Sequence, residues 1–474
     1  MKKMMRWGSV SRIAAGVTGL AIWLGVSIAV VGSAAGVRAQ GPEAQAPAAP
    51  TFHKDVEPIL QKNCQTCHRP GQIAPMALLT YESVRPWAKS IKAKVIAREM
   101  PPWFADPHYK QFANDKRLSD RDLATIVNWV DGGAVAGDLG DAPPPVQWPA
   151  DGWEIQPEKI VAGAEIKVPA KGVVEWITVT VPSGFTKDTW ITSMEVRPGA
   201  RAVVHHVCVS YKPHVEGVKY YTPEWQDKPR DDEGSELPRT APVARSGSLS
   251  IAGVRLHCYV PGVAAVDYRL YNSATLIPAN ADLSFSIHYN PNGTEAVDVT
   301  KVGFTLAKEP PKRQFISLAL NPARDRESFA IPPQDPNWTA PTASAEFLVD
   351  AELVSLLYHM HDRGKDAITR LDYPDGRTET VLSVPRYDFN WQMTYDFAKA
   401  TRIPKGTKVV FNAHYKNTLR GGYLNPNKWV YWGDQTWEEM MGNWLGLVID
   451  RDVKPDDVLK PLGKSNVGGG GGEG

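Results

Sequence analysis

The sequence predicts a mainly β protein in which two consecutive jelly-roll-like β-sandwiches follow a small all-α domain. Three observations indicate this fold class. Apolar residues at helical spacing occur in two stretches before residue 135, and a stiff proline run at 142–145 follows them. Beyond that run, short β-rich segments alternate with turn residues. The 474-residue chain contains 39 Gly and 39 Pro, which is typical of strands joined by turns.

The first 39 residues have the features of a secretory signal. Basic residues before position 13 precede an apolar run at 13–37, and a small-residue cleavage site follows. Because the run is long for a signal peptide, an uncleaved membrane anchor is the alternative. Removing residues 1–39 takes away five basic residues and no acidic ones, so the formal charge changes from +1 to −4. We therefore expect an exported, periplasmic protein that does not bind nucleic acid.

Residues 40–50 are rich in Ala and Pro and predict a tether. The all-α domain is expected at 51–135. Its first helix precedes residue 63, and its last begins at a capping Ser119 and ends at the glycine pair that starts with Gly132. A Pro-rich linker at 136–152 completes this part of the chain.

Cys64, Cys67 and His68 form a Cys-x-x-Cys-His motif directly after the first helix. Each thiol can form a thioether with one vinyl group of haem, and the short turn directs His68 at the iron. A redox disulfide or half of a zinc site are the alternatives. The trailing histidine and the lack of a second Cys pair favour one covalent haem.

With its bracketing helices, this segment resembles a small c-type cytochrome. The resemblance implies a sixth iron ligand in the loop before the last helix, where Met100 lies. Thioether ligation raises the reduction potential and suits an acceptor of single electrons. Met76 is the alternative ligand, since it also follows the motif in a loop.

The β-rich runs divide near residue 310 into a first sandwich at 153–310 and a second at 311–455. A glycine-rich tail at 456–474 is expected to be disordered. Cys208 and Cys258 remain after the haem motif, and in an exported protein we expect a disulfide between them.

Several of the 11 histidines lie on predicted strands. Residues i and i+2 of a strand share a face, so His359 and His361 can reach one metal while the residue between them points away. Adjacent His205 and His206 can share an ion only at a distorted strand end. His288, on a neighbouring strand, could supply a third ligand. Imidazole suits Cu, Zn, Fe and Ni, and an added thioether favours copper.

The order of these motifs resembles the copper type II, ascorbate-dependent monooxygenases, such as peptidylglycine hydroxylating monooxygenase and dopamine β-monooxygenase. The likeness covers about residues 153–455. It implies two copper ions, one that stores an electron and one that binds O2. The electron-storing ion would be held by His205, His206 and His288. The O2-binding ion would be held at the catalytic residues His359, His361 and Met440, with Met441 as the competing thioether.

This chain departs from the family at three positions. Peptide-hydroxylating members hold the substrate carboxylate with an Arg two residues before the His-x-His and with Asn and Tyr after the methionine ligand. Here Leu357, Gly442 and Trp444 occupy those positions, which argues against a peptide substrate. His414 is a further candidate for contact with metal or substrate. The other histidines are interpreted as surface residues or, for His257, as a buried core histidine.

Together these observations predict an O2-dependent monooxygenase that hydroxylates a C–H bond of a small molecule. Ascorbate reduces both coppers in the animal relatives, whereas here the tethered haem would relay electrons from a periplasmic donor. The alternative is a non-catalytic electron-transfer or copper-binding subunit of a larger redox assembly. A haem peroxidase is a weaker alternative, because the sequence has no second haem motif.

Overall fold

The computed structural model describes residues 49–149, 152–225, 254–420, 424–433 and 435–468. The predicted signal peptide and most of the tether lie outside these residues. The mainly β class is confirmed, with 39% of residues in strands and 13% in helices. No helix among the described residues is long and apolar enough to span a membrane.

The α-helices of the described residues all lie before residue 132. They surround an apolar cluster, here called the helical cluster, formed by Phe52, Val56, Ile59, Leu60, Leu78, Val84, Ala88, Val95, Leu118, Ile126, Trp129 and Ala134. The Ser119 hydroxyl caps the last helix by accepting from the Asp122 N–H at 3.0 Å, as its sequence position predicts. The helical bounds are α1 Glu57–Asn63, α2 Tyr81–Val84, α3 Ala88–Ile96 and α4 Asp120–Asp131, with a π turn Phe52–Val56 and 3-10 turns Arg85–Trp87, Leu139–Asp141, Tyr268–Tyr271 and Pro455–Asp457.

Among the described residues before 310, ten strands form two antiparallel sheets. Sheet I has the order β1-β10-β3-β7, with β8 also paired to β3, and sheet II has the order β5-β2-β9-β4-β6. Both contribute side chains to one hydrophobic core, the first core, which includes Ile191, Val302, Val207 and Phe285. The bounds are β1 Lys159–Val168, β2 Ile177–Pro182, β3 Thr189–Arg197, β4 Val204–Lys212, β5 Pro223–Trp225, β6 Val254–Tyr259, β7 Ala265–Asp267, β8 Thr275–Ile277, β9 Asp282–Tyr289 and β10 Ala296–Leu306.

The strands after residue 310 form sheet III, in the order β18-β15-β21-β11-β23, and sheet IV, in the order β17-β16-β19-β14-β22 with β13 also on β19. These two sheets share the second core, which includes Leu318, Leu353, Val409 and Phe411. A short β12-β20 pair lies beside them. The bounds are β11 Arg313–Asn321, β12 Ala330–Ile331, β13 Trp338–Thr339, β14 Ala343–Phe347, β15 Ala351–His359, β16 Gly364–Asp372, β17 Thr378–Val384, β18 Thr394–Ile403, β19 Lys408–Tyr415, β20 Val430–Tyr431, β21 Gly442–Asp450, β22 Leu459–Pro461 and β23 Asn466–Gly468.

The C-terminal segment differs from the prediction of disorder at 456–474. Strand β22 pairs with β14, and β23 pairs with β11. Val458 and Leu459 are buried in the second core, and that burial is the physical reason for the order. The prediction was therefore wrong for residues 456–468, while 469–474 lie outside the described residues.

The loop between α3 and α4 packs against the sandwich strands. Trp103, Phe104 and Phe112 belong to the second core rather than to the helical cluster. Trp103 contacts Tyr395 edge to face, with ring centroids 5.0 Å apart. The helices and the sheets therefore belong to the same compact unit of the chain.

Candidate functional site

His205, His206 and His288 come together at the end of strands β4 and β9. Their ligand nitrogens all lie within 4.8 Å of one another. The β4–β9 ladder is irregular between Val204 and His206, and His206 pairs with His288. This irregularity provides the distortion that adjacent His205 and His206 need in order to face the same point. The structure thus contains a group of three histidines that could hold a metal.

Aromatic rings enclose this first histidine group. The Trp176 ring is parallel to the His288 ring at 6.4 Å and meets His206 edge to face at 5.6 Å, between centroids. Phe389, from the loop between β17 and β18, packs against His205 with centroids 5.1 Å apart. Of the three imidazoles, His206 is buried, whereas His205 and His288 are half-buried.

His359 and His361 form a second group at the end of β15. The Nδ1 atom of His359 contacts Gln392 Oε1 at 2.5 Å, and the Nδ1 atom of His361 contacts the Glu438 carbonyl at 3.1 Å. An oxygen acceptor at Nδ1 fixes the tautomer with its proton there and leaves the Nε2 lone pair available for a metal. The His359 Nε2 atom is buried without a hydrogen-bond partner, as expected for a ligand position.

The backbone that carries His361 is held by a fully buried carboxylate. Glu439 accepts from the N–H of His361 at 2.9 Å and from the N–H of Arg363 at 2.7 Å. Burial raises the pKa of Glu439 to about 8, against the opposite effects of Arg363 and the two amides. Gly364 follows this segment directly. Glycine is required at that position, because a Cβ there would lie 2.7 Å from the Cβ of Met360.

The two histidine groups face each other across one small cavity. His206, His288, His359, His361 and Phe389 line it, and its volume is about 10 Å³. The rings of His206 and His359 are 6.5 Å apart between centroids. The sequence predicted two sites in two different sandwiches. The strands do belong to different cores, but the ligand rings share one chamber.

All five imidazoles are neutral at pH 7. Burial lowers the pKa of His205 to about 4, of His288 to about 3 and of His359 to about 4. It lowers the pKa of His206 and of His361 well below the ordinary value, and neighbouring histidines lower both further. Neutral imidazole is the form that binds metal ions.

The two candidate methionines differ in their surroundings. Met441 is fully buried within the second core. Met440 is also buried but belongs to none of the apolar clusters of the described residues. Its carbonyl accepts from the Tyr415 hydroxyl at 2.6 Å. Met440 is not among the described residues that line the cavity.

The Cys-x-x-Cys-His motif forms a tight turn after α1. The His68 N–H donates to the Cys64 carbonyl at 2.9 Å, and both thiols are free. The His68 Nδ1 atom contacts the Met76 carbonyl at 3.2 Å, which leaves Nε2 available for an iron. Free thiols beside a histidine with this tautomer fit covalent haem attachment.

Met76 and Met100 occupy different positions. The Met76 side chain packs against the helical cluster. Met100 lines a cavity of about 720 Å³ together with Val95 and Leu118, two members of the same cluster. That volume is large enough for a macrocycle, but the residues of the Cys-x-x-Cys-His motif do not line the cavity.

The remaining histidines lie away from these groups. His414 is not among the described residues that line the histidine cavity. Its Nδ1 atom contacts Asp366 at 2.6 Å, and both side chains are partly exposed. Other histidines contact nearby carboxylates, namely His53 with Glu57, His108 with Asp106 and His214 with Asp282. The disulfide between Cys208 and Cys258 is confirmed and joins facing residues of β4 and β6.

Sequence reasoning missed Trp176, Phe389, Gln392 and Glu439. Gln392 and Phe389 come from a loop that carries no metal-binding pattern, so nothing in the sequence singles them out. Glu439 lies directly before Met440. A carboxylate beside a proposed ligand is a signal that could have identified it as an outer-shell partner.

Comparisons with known proteins do not identify a family. No family model matches the chain, and no curated protein matches it. Among solved structures, the chain is similar to the structure of infectious bursal disease virus Gt strain, at 11% identity over 66% of this chain and 76% of that chain. A second similar structure is the Gx strain of the same virus, at 10% identity over 68% and 78%. Both TM-scores are 0.17, which is too low to inform fold or function.

Proposed function

We propose that this protein is an exported haem- and copper-containing monooxygenase that hydroxylates a C–H bond of a small molecule with O2. One observation carries the proposal. Imidazoles of both groups, namely His206, His288, His359 and His361, line a single cavity, and the His359 Nε2 atom there is buried without a hydrogen-bond partner. A buried polar atom without a partner requires an explanation, and a bound metal ion beside three other imidazoles provides one.

His205, His206 and His288 would hold one copper ion, and His359, His361 and Met440 the other. Copper would supply one-electron redox chemistry and a site for O2. The chain itself contributes the orientation of the ligands. Gln392 and the Glu438 carbonyl fix the ring tautomers, and Glu439 fixes the backbone of His361.

A second cavity, of about 140 Å³, supports the proposal that the substrate is a small molecule. It lies where the two cores meet and is lined by Arg255, Leu357, Asp396 and Trp444, among others. Trp444 also packs edge to face against His359, with ring centroids 5.7 Å apart. The Trp444 side chain therefore contacts the second histidine group and also lines this cavity. Leu357 makes an apolar wall at the position where peptide-hydroxylating relatives have Arg, which argues for a substrate other than a peptide.

Cys64, Cys67 and His68 would hold a c-type haem, with Met100 as the sixth ligand. The free thiols and the contact of His68 Nδ1 with the Met76 carbonyl support this assignment. The haem would accept electrons from a periplasmic donor. The disulfide between Cys208 and Cys258 supports an exported location, because such bonds persist in oxidising compartments.

The test is metal analysis combined with product analysis. Purified, reconstituted protein should contain one haem and two coppers per chain. With a chemical reductant supplying two electrons per turnover, it should transfer one atom of labelled O2 into a small substrate and the other into water. His359→Ala should abolish this transfer, whereas His108→Ala, a matched change at an exposed histidine, should preserve it. A fully haem-loaded protein that binds no copper would instead support the non-catalytic electron-transfer subunit.

A further inference from the structure

A glycine turn of sheet II touches the haem-attachment motif. Val260 and Val263 form a mutual backbone bridge that closes a turn containing Pro261 and Gly262. Gly262 has φ +83°, and a Cβ at this residue would lie 3.0 Å from the Cys67 sulfur. Only glycine satisfies both requirements without strain. The sulfur that would carry a haem thioether therefore lies directly against this turn.

Two hydrogen bonds link the helical part of the chain to the sandwich part in this region. Lys116, from the loop before α4, donates from Nζ to the Gly262 carbonyl at 2.9 Å. Arg201 donates to Gln72 Oε1, also at 2.9 Å. Gln72 lies four residues after His68, and Arg201 lies four residues before His205. The Arg201 bond thus joins the haem-motif region to the segment that leads into β4, and the Lys116 bond joins the loop before α4 to the turn itself.

The turn leads to the first histidine group through one strand pair. Strand β6 ends at Tyr259, which pairs with Val207, the neighbour of His206 on β4. The disulfide between Cys208 and Cys258 links the next pair along the same ladder. The Gly262 turn and the β6–β4 ladder therefore connect Cys67 to the part of β4 that carries His205 and His206. The disulfide joins these two strands covalently.

We propose that the turn of Pro261 and Gly262 is the contact through which electrons pass from a haem at Cys67 to copper at His205, His206 and His288. Lys116 and Arg201 act as its positioning residues. The inference rests on the proposed function and adds the route. A ferrous haem held at Cys67 would give up one electron and become ferric, and a cupric ion held by the three histidines would take up that electron and become cuprous. No bond forms or breaks, and no proton moves.

A rival route runs through the second core. Trp103 lies three residues after Met100 and contacts Tyr395, and Tyr395 pairs with Leu356 near the end of β15. This path ends at the second histidine group. Because it crosses apolar packing contacts instead of a bonded ladder, we expect it to conduct more slowly.

The experiment follows the haem itself, without substrate or O2. A flash-generated flavin semiquinone reduces the haem of copper-loaded protein, and haem reoxidation is recorded by absorbance while the loss of the cupric signal is quantified by freeze-quench EPR. In the unmodified protein the rate should not depend on protein concentration. Gly262→Ala should slow it by on the order of tenfold or more. The matched control is Gly376→Ala, at φ +88° with nothing within 4 Å of the added Cβ, which should leave the rate unchanged.

Lys116→Met and Arg201→Gln should also slow the transfer, and these changes do not strain the backbone. Trp103→Phe should have no effect. Haem and copper potentials are measured in every variant, so that a change in driving force is separated from a change in route. Unchanged rates in the Gly262, Lys116 and Arg201 variants would overturn the proposal, and slowing in the Trp103 variant alone would assign the rival route. If the unmodified protein transfers no electron from haem to copper, the proposed function itself fails.

Discussion

His206 and His359 lie on strands of different hydrophobic cores, yet their ring centroids are only 6.5 Å apart. Within the groups, the His205–His206 and His359–His361 centroids are each 5.2 Å apart. The gap between the groups is therefore only slightly larger than the spacing inside them. Bound metals would be near neighbours in one chamber, and an electron could pass from one group to the other without crossing a strand.

The first prediction concerns copper stoichiometry. His359→Ala should remove one copper and leave the other copper and the haem, because His205, His206 and His288 keep a complete ligand set. Copper content and haem absorbance of the purified variant measure this. His414→Ala is the matched control and should keep both coppers, since that histidine contacts Asp366 instead. Loss of both coppers in the His359 variant would mean that the five imidazoles form one shared centre.

The second prediction concerns pH and the stability of the metal-free protein. Folding lowers the pKa of His205 and of His359 to about 4, and that of His288 to about 3. Below about pH 6.5 the unfolded chain binds protons at these histidines that the folded chain does not, so they lower the free energy of unfolding as the pH falls through this window. Glu439 and Asp396, whose pKa values folding raises to about 8 and about 6, act in the opposite direction. Between pH 7 and pH 5 we expect a loss of about 1–2 kcal/mol per histidine.

Urea unfolding of the metal-free protein at several pH values measures this loss. Replacing His288 by Gln should make the dependence shallower, because one of the depressed groups is removed. Above pH 7 the curves should coincide apart from a constant offset. A pH dependence that is equally steep in the His288→Gln variant would contradict the assignment of this imidazole as buried and neutral.

Much of the fold follows from period-2 patterns. Strands β4 and β19 lie where alternating apolar residues predict them. The apolar pattern at 346–357 predicts a single strand, but these residues belong to two strands, β14 and β15, separated by a short turn. The ordered tail was missed because β22 and β23 are only three residues long and depend on partners far away in sequence.

The histidines could be found from the sequence, but their common chamber could not. Spacing predicts which residues share a strand face, as it does for His359 and His361. It gives no information about how one sandwich faces another, and that orientation decides the distance from His206 to His359. The outer partners Gln392 and Phe389 were missed for the same reason, since a loop places them.

The third prediction concerns the disulfide, which closes a separation of 50 residues. Changing both Cys208 and Cys258 to Ala should lower the free energy of unfolding by about 2–4 kcal/mol, because the unfolded chain regains conformational freedom. Strand β4 also carries His205 and His206, so copper at the first group should bind more weakly. Unfolding curves and copper titration measure the two effects, and an unfolding midpoint equal to that of the unmodified protein would argue against this role.

The fourth prediction separates the two candidate iron ligands. Met100→Ala should abolish the weak sulfur-to-iron absorption of the oxidised, haem-loaded protein. Met76→Leu should retain that absorption, because the Met76 side chain packs against the helical cluster and its backbone carbonyl keeps the contact with His68. Loss of the band in the Met76 variant alone would reverse the assignment.

The last prediction uses two adjacent methionines as a matched pair. Met→Leu nearly conserves volume and usually costs less than about 1.5 kcal/mol in a core, so both variants should fold. Met441 belongs to the second core, and Met441→Leu should therefore keep both coppers. Met440 lies outside the apolar clusters of the described residues, and Met440→Leu should selectively weaken copper at His359 and His361. X-ray absorption of the cuprous protein gives an independent reading, because the copper–sulfur contribution should vanish only in the Met440 variant. If the copper–sulfur contribution vanishes in the Met441 variant instead, the assignment of the two methionines is reversed and Met441 is the ligand.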